Sequence, residues 1–212
     1  MGIEDRLRDA ARAVEDMWSD PEGTAARCER MRERLSDSQH SPGESVPSAS
    51  NATRLIAASR HALAQSPSTE DILTEAWQAQ ALAQGIGGAL AVTGPAGLRD
   101  QARGLSEAGA RGCGAIDRDA AAWGTLAPRA AMLTGVSDPA GSLQALAALL
   151  GEVGIALVGV ALATDDEHVY WQCIESIDAA DEASDCVRGL LRRLAVLDRE
   201  ATDAGAGRNG TP

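Results

Sequence analysis

The sequence predicts an all-α protein, a helical bundle of about five main helices that ends in a long antiparallel helix hairpin. Three observations carry this. Leu143–Ala163 is apolar nearly all round, broken only by Gln144 and Glu152. The segment from about Asp165 to Arg199 is amphipathic, acidic at its start and basic toward its end, which suits the helix dipole. The apolar content rests on Ala, Leu, Val and Ile, with no Phe, one Tyr and four Trp. Such a core suits closely approaching helices better than strands. The first two features together describe a central buried helix, 143–163, with a long helix packed along it.

The elements follow in order. Residues 3–18 and 22–36 read as two short charged helices, separated by Asp20-Pro21 and Gly23. They form a 1–36 appendage, or arise from a start placed too far upstream, with Val46 an alternative start. Residues 37–50 are a Ser/Pro/Gly linker. The bundle domain is expected over 51–200. Asn51 is the expected cap of helix Ala52–Gln65, and Ser68 with Asp71 opens Thr69–Val92 after Pro67. The stripe of that second helix is Ile72, Ala76, Ala79, Ala83, Ile86 and Leu90. A third helix spans Ala96–Ala110, with Gly109, Gly112 and Gly114 expected to end it. Residues 115–137 carry weak signals: a short helix near Ala120–Trp123 and another after Pro128. Asp138-Pro139 opens the apolar helix. Thr164-Asp165-Asp166-Glu167 reads as a capping box for the last one. In that helix Tyr170, Cys173, Ile177, Ala180, Ser184, Val187, Leu191 and Leu194 form a heptad seam flanked by Ile174 and Leu190. Residues 201–212 read as a disordered tail.

Several of these segments are distinctive: RLIAASRHAL (54–63), EAWQAQALAQ (75–84), ARGLSEAGARGCG (102–114), LLGEVGIALVGVA (149–161) and YWQCIESIDAADEASD followed by VRGLLRRL. Over about residues 52–199 they resemble an uncharacterised family of streptomycete-type actinobacterial proteins. The resemblance implies no activity, substrate or catalytic residue. Its members begin near the position of Asn51.

Composition narrows the chemistry. All 19 basic residues are Arg, so Schiff-base chemistry with pyridoxal phosphate, biotin or lipoate carriage and a P-loop lysine are excluded. Arg-only, Ala- and Gly-rich usage is also what a GC-rich bacterial genome produces. The net charge of −12, with no basic stripe, argues against nucleic acid or an anionic membrane as partner. The 143–163 stretch is long enough to span a bilayer. However, Glu152 near its middle costs about 2.5–3.5 kcal/mol there, and Gly151, Gly154 and Gly159 weaken it, so a bundle helix is expected. The start of the chain has no signal-peptide pattern. The four cysteines, Cys28, Cys113, Cys173 and Cys186, show no C-x-x-C pairing. Reduced thiols and a cytoplasmic location are expected.

Candidate sites are few, and no catalytic, cofactor or metal site is assigned. Eight carboxylates and no Arg lie between Asp165 and Asp185. Glu175, Asp178, Glu182 and Asp185 share a face, but the Glu-x-x-His pairs of a di-metal bundle are missing. A solvated face complementing the dipole explains the run. Glu152 is the candidate buried polar residue, either paired with Arg54, Arg60 or Arg103 or serving as an acid/base or ligand anchor. No nucleophile elbow occurs. His61 reads as a helix-surface residue. Cys113, near Arg111, reads as a structural thiol among glycines or a reactive one. Trp171 lies far round the last helix from its seam. With Tyr170 and Trp77 it forms the candidate interaction surface, although Trp171 and Trp77 packing together would explain both. The reading is a non-enzymatic cytoplasmic interaction module acting on a protein partner or on itself as a homo-oligomer. The alternative is a small-ligand or metal-binding bundle, possibly enzymatic, organised around Glu152 and the acidic face.

Overall fold

A computed structural model describes residues 50–116 and 127–206, and all of its elements there are helical. Expectations for residues 1–49, for the helix near Ala120–Trp123 and for residues 207–212 lie outside the described residues. Five α-helices pack together: α1 (Asn51–Ala64), α2 (Thr69–Thr93), α3 (Arg99–Ala115), α4 (Pro139–Ala163) and α5 (Glu167–Ala206). Short 3-10 turns at Ala96–Leu98 and Arg129–Met132 lead into α3 and follow Pro128.

Local chemistry explains the boundaries. Ser68 and Asp138 cap α2 and α4, accepting hydrogen bonds from the N–H groups of Asp71 and Gly141. Two caps differ from expectation. Ser50, not Asn51, caps α1, accepting from the Thr53 N–H at 3.1 Å. The Asn51 side chain instead accepts from the Thr134 N–H at 2.9 Å. At α5 the capping box is replaced by Asp166, whose carboxylate accepts from the His168 N–H at 2.8 Å. The Thr164 hydroxyl accepts from the Asp166 N–H at 3.1 Å, one step earlier. α5 also runs through 201–206, expected as tail.

The packing has two hairpins. α2 and α3 make the most extensive contact, followed by α4 and α5, and α5 also lies along α3. The central helix is α2, not α4. It touches all four other helices, and every residue from Glu75 to Ala83 is buried. Small Ala and Gly side chains allow neighbours on every side of it, a burial that leaves no hydrophobic stripe to read.

The glycines near the end of α3 do not terminate it. Gly109 and Gly112, with Gly87 of α2, make the α2–α3 crossing close, whereas a Cβ on Gly114 would meet nothing within 4 Å. A Cβ on Gly87 would stand 2.5 Å from the Ser106 nitrogen and 2.8 Å from the Ala102 oxygen. One on Gly109 would stand 2.7 Å from the Gln80 oxygen. Only a residue without a side chain admits this approach.

Along α5 the buried stripe holds Cys173, Ser176, Ala180, Ala183, Val187 and Leu190. It shares Cys173, Ala180 and Val187 with the expected seam, but turns by one position to Ser176, Ala183 and Leu190 because α5 serves two neighbours, α4 and α3.

Candidate interaction surfaces

The buried carboxylate in this fold is one the sequence did not single out. Glu75 of α2 is buried and makes a forked pair with Arg129, including Arg129 Nη2 to Glu75 Oε1 at 2.8 Å. Arg129 Nη1 also donates to the Ser59 hydroxyl at 3.2 Å, and its backbone N–H donates to Gln78 Oε1 at 2.7 Å. The network fastens the Arg129–Met132 turn to α1 and α2. Its signal in the sequence is the polar set Glu75, Gln78 and Gln80 within an Ala-rich run.

Glu152, expected to be buried, is not. Its side chain is 39% exposed. Arg60 of α1 grips it with a forked pair, Nε lying 2.9 Å from Oε2 and 3.1 Å from Oε1. The carboxylate holds the Arg60 guanidinium even more firmly in its charged state, raising its pKa. Arg54 and Arg103 stand elsewhere, with Arg103 paired to Asp100.

Trp77 is also corrected. It is 6% exposed, because α2 is covered on all sides and even positions off its stripe are interior. Trp171 and Tyr170 lie at the surface, 54% and 36% exposed, their rings edge-to-face with centroids 5.4 Å apart.

Beside Trp171 is a cavity of about 350 Å³, lined by Gly114–Ile116 from the end of α3 and by His168, Trp171, Gln172 and Glu175 from α5. The Gln172 amide nitrogen lies 2.9 Å from His168 Nε2. Farther along the acidic face, Arg111 reaches from α3 to Glu182 (Nε to Oε2 3.2 Å), and Asp185 pairs with Arg188. Among the described residues no cluster of three His, Cys, Asp or Glu is placed to hold a metal ion. Cys113, Cys173 and Cys186 are not joined to one another by a disulfide. The Cys113 thiol lies 3.9 Å from the Trp77 carbonyl oxygen. Burial pushes the Cys173 thiol up to about 11. The Cys186 thiol is raised too, first by burial and then by Glu182 and Asp185. Both shifts oppose thiolate reactivity.

The most apolar helix is left with an open face. α4 packs on α5, α2 and α1, but Gln144, Ala148, Gly151, Ile155, Gly159 and Leu162 are exposed, Ile155 at 48% and Leu162 at 65%. These positions recur every three or four residues and so form one stripe. A Cβ on Gly151 or Gly159 would meet nothing within 4 Å. α4 is long and apolar enough to cross a membrane, as the core helix of a soluble bundle also can be, and 44% of its most apolar window is buried within the bundle.

A family model described as a family of unknown function (DUF6099) matches residues 50–193, well over half of the chain. The chain belongs to DUF6099. The match starts at the Ser50 cap and ends inside α5, so the DUF6099 region contains the Glu75–Arg129 network, the α4 stripe and the Trp171 cavity. No curated protein and no solved structure matches the chain.

Proposed function

We propose that this protein is a non-enzymatic, cytoplasmic helical interaction module of streptomycete-type actinobacteria, and that it self-associates through the open face of α4. The observation that carries this is the uncharged stripe Ala148, Gly151, Ile155, Gly159, Leu162 on a chain of net charge −12. Contiguous exposed apolar surface of this kind marks interaction sites, and elsewhere the like charges of two copies repel. The stripe runs roughly 27 Å from Gln144 to Leu162 at 1.5 Å per residue. It is also symmetric about Ile155. A two-fold axis there, with antiparallel helices, sets Gly159 against Gly151 of the second copy and Leu162 against Ala148. Large then meets small and glycine meets glycine, a self-complementary isologous contact. Cysteines that form no disulfide with one another suit a reducing compartment, and Arg-only usage suits the GC-rich origin.

Sedimentation equilibrium of the full chain tests the reading. A dimer is expected that becomes monomeric in Ile155→Glu, with the helical circular dichroism unchanged. A wild-type protein that stays monomeric at all concentrations would sink it. So would flotation with neutral phosphatidylcholine vesicles that Ile155→Glu abolishes, since lipid would then be the occupant.

A further inference from the structure

The cavity at Trp171 has a chemistry of its own. His168, Trp171, Gln172 and Glu175 are spaced three and four apart on the first turns of α5, so all four side chains share one side of the helix. Together they line a concave space against the end of α3. The indole there is more than half exposed, and its face attracts cations through the ring quadrupole. One turn on, Glu175 is exposed and has no hydrogen-bond or ion-pair partner among the described residues. Gln172 is buried and commits its amide nitrogen to His168, which leaves its Oε1 as an acceptor. An exposed aromatic face, a carboxylate and an amide oxygen around one space select a planar, donor-rich cation over a neutral or anionic group.

The chain already displays such an arrangement. Seven residues beyond Glu175, on the same face, Glu182 receives the Arg111 guanidinium from α3. α3 ends at Ala115, and among the described residues none supplies the equivalent cation at Glu175. The surrounding field is negative, with eight carboxylates and no Arg between Asp165 and Asp185.

We propose that this cavity docks an arginine of a basic segment in a partner protein, its guanidinium stacked on Trp171 and forked onto Glu175. A segment fits better than a free small cation. One exposed ion pair and one stacked cation are each weak, whereas Asp178, exposed one turn beyond Glu175, lets a second basic residue of the same chain add its contribution. The site is independent of the α4 stripe and does not require the self-association proposed above.

The test is isothermal titration calorimetry of the full chain with a pentapeptide containing two arginines, its citrulline counterpart, and methylguanidinium. Proton–nitrogen spectra of the indole N–H groups locate the site. The arginine peptide should shift the Trp171 indole signal saturably, and Glu175→Gln and Trp171→Leu should each weaken it roughly tenfold. Both residues are exposed, and unchanged circular dichroism verifies that the variants fold. Equal binding of the citrulline peptide would overturn the proposal, as would unaltered affinity in both variants. Methylguanidinium binding as tightly as the peptide would overturn the partner segment in favour of a free cation.

Discussion

Glu75 and Glu152 are each forked onto an arginine, and solvent makes the two pairs unequal. Glu75 is buried with Arg129, Ser59 and Gln78 around the pair, so Glu75→Leu strands a guanidinium and should cost about 3 kcal/mol in urea denaturation. The Glu152–Arg60 pair is exposed on both sides, and Glu152→Leu should cost less than about 1 kcal/mol. A reversed order would mean that the two environments are misassigned. Glu152 stood out in the sequence because it is alone in an apolar run. Glu75 did not, because Gln78 and Gln80 beside it imitate a solvated face. Cys173 gives a second prediction. Its buried thiol has a pKa raised from 9.0 to about 11, so the neutral thiol favours the folded state. That contribution is fully present below pH 9 and is lost as pH rises through about 11. Wild-type stability should therefore fall more steeply over that range than that of Cys173→Ala, in denaturant titrations at each pH.

At the scale of the helix, glycine has two opposite roles here. Gly87 and Gly109 are pressed against the backbone of the facing helix, whereas Gly151 and Gly159 face open space. Gly87→Ala or Gly109→Ala should destabilise by about 1–3 kcal/mol through overpacking. Gly151→Ala should stabilise an isolated protomer by about 0.5–1 kcal/mol through helix propensity, while weakening any α4–α4 contact that needs close approach. Thermal melts and sedimentation of the same variants separate the two effects. The helices themselves were legible where period and caps agree: α2 and α4 start at Ser68 and Asp138 as read. The environments were not. Hydrophobicity pointed to α4 as the interior helix, yet Ala-rich α2 takes that place because thin side chains let four neighbours close in. The α3 glycines looked like punctuation because a sequence does not show which backbone stands opposite.

For the molecule as a whole, the capping correction moves the edge of the folding unit. Ser50 is buried and bonds both the Thr53 N–H and the Ser142 hydroxyl at 3.1 Å, and Asn51 holds the Thr134 N–H. A fragment from Ala49 to Ala206 should melt cooperatively near the temperature of the full chain. One starting at Ala52 should lose about 1–2 kcal/mol for the missing cap. Equal stability of the two fragments would show that these bonds contribute nothing. The cavity by Trp171 was half legible: the helical wheel put the indole outside, but only the fold brings the end of α3 across to make a concave site.

The bonds that seat α1 on α4 join residues 92 positions apart, Ser50 with Ser142 and Arg60 with Glu152. The α2–α3 and α4–α5 hairpins close over much shorter loops. On a ribosome adding about 5–20 residues per second, α1 leaves the exit tunnel roughly 5–20 s before its seat on α4 exists. Throughout that interval Leu55 and Ile56, both buried in the finished protein, lack the α4 surface that covers them there, and among the described helices they have α2 beside them. Of the described helices α1 is thus made first yet is among the last to be locked, and during that interval it is the described helix most open to chaperone capture or premature cleavage.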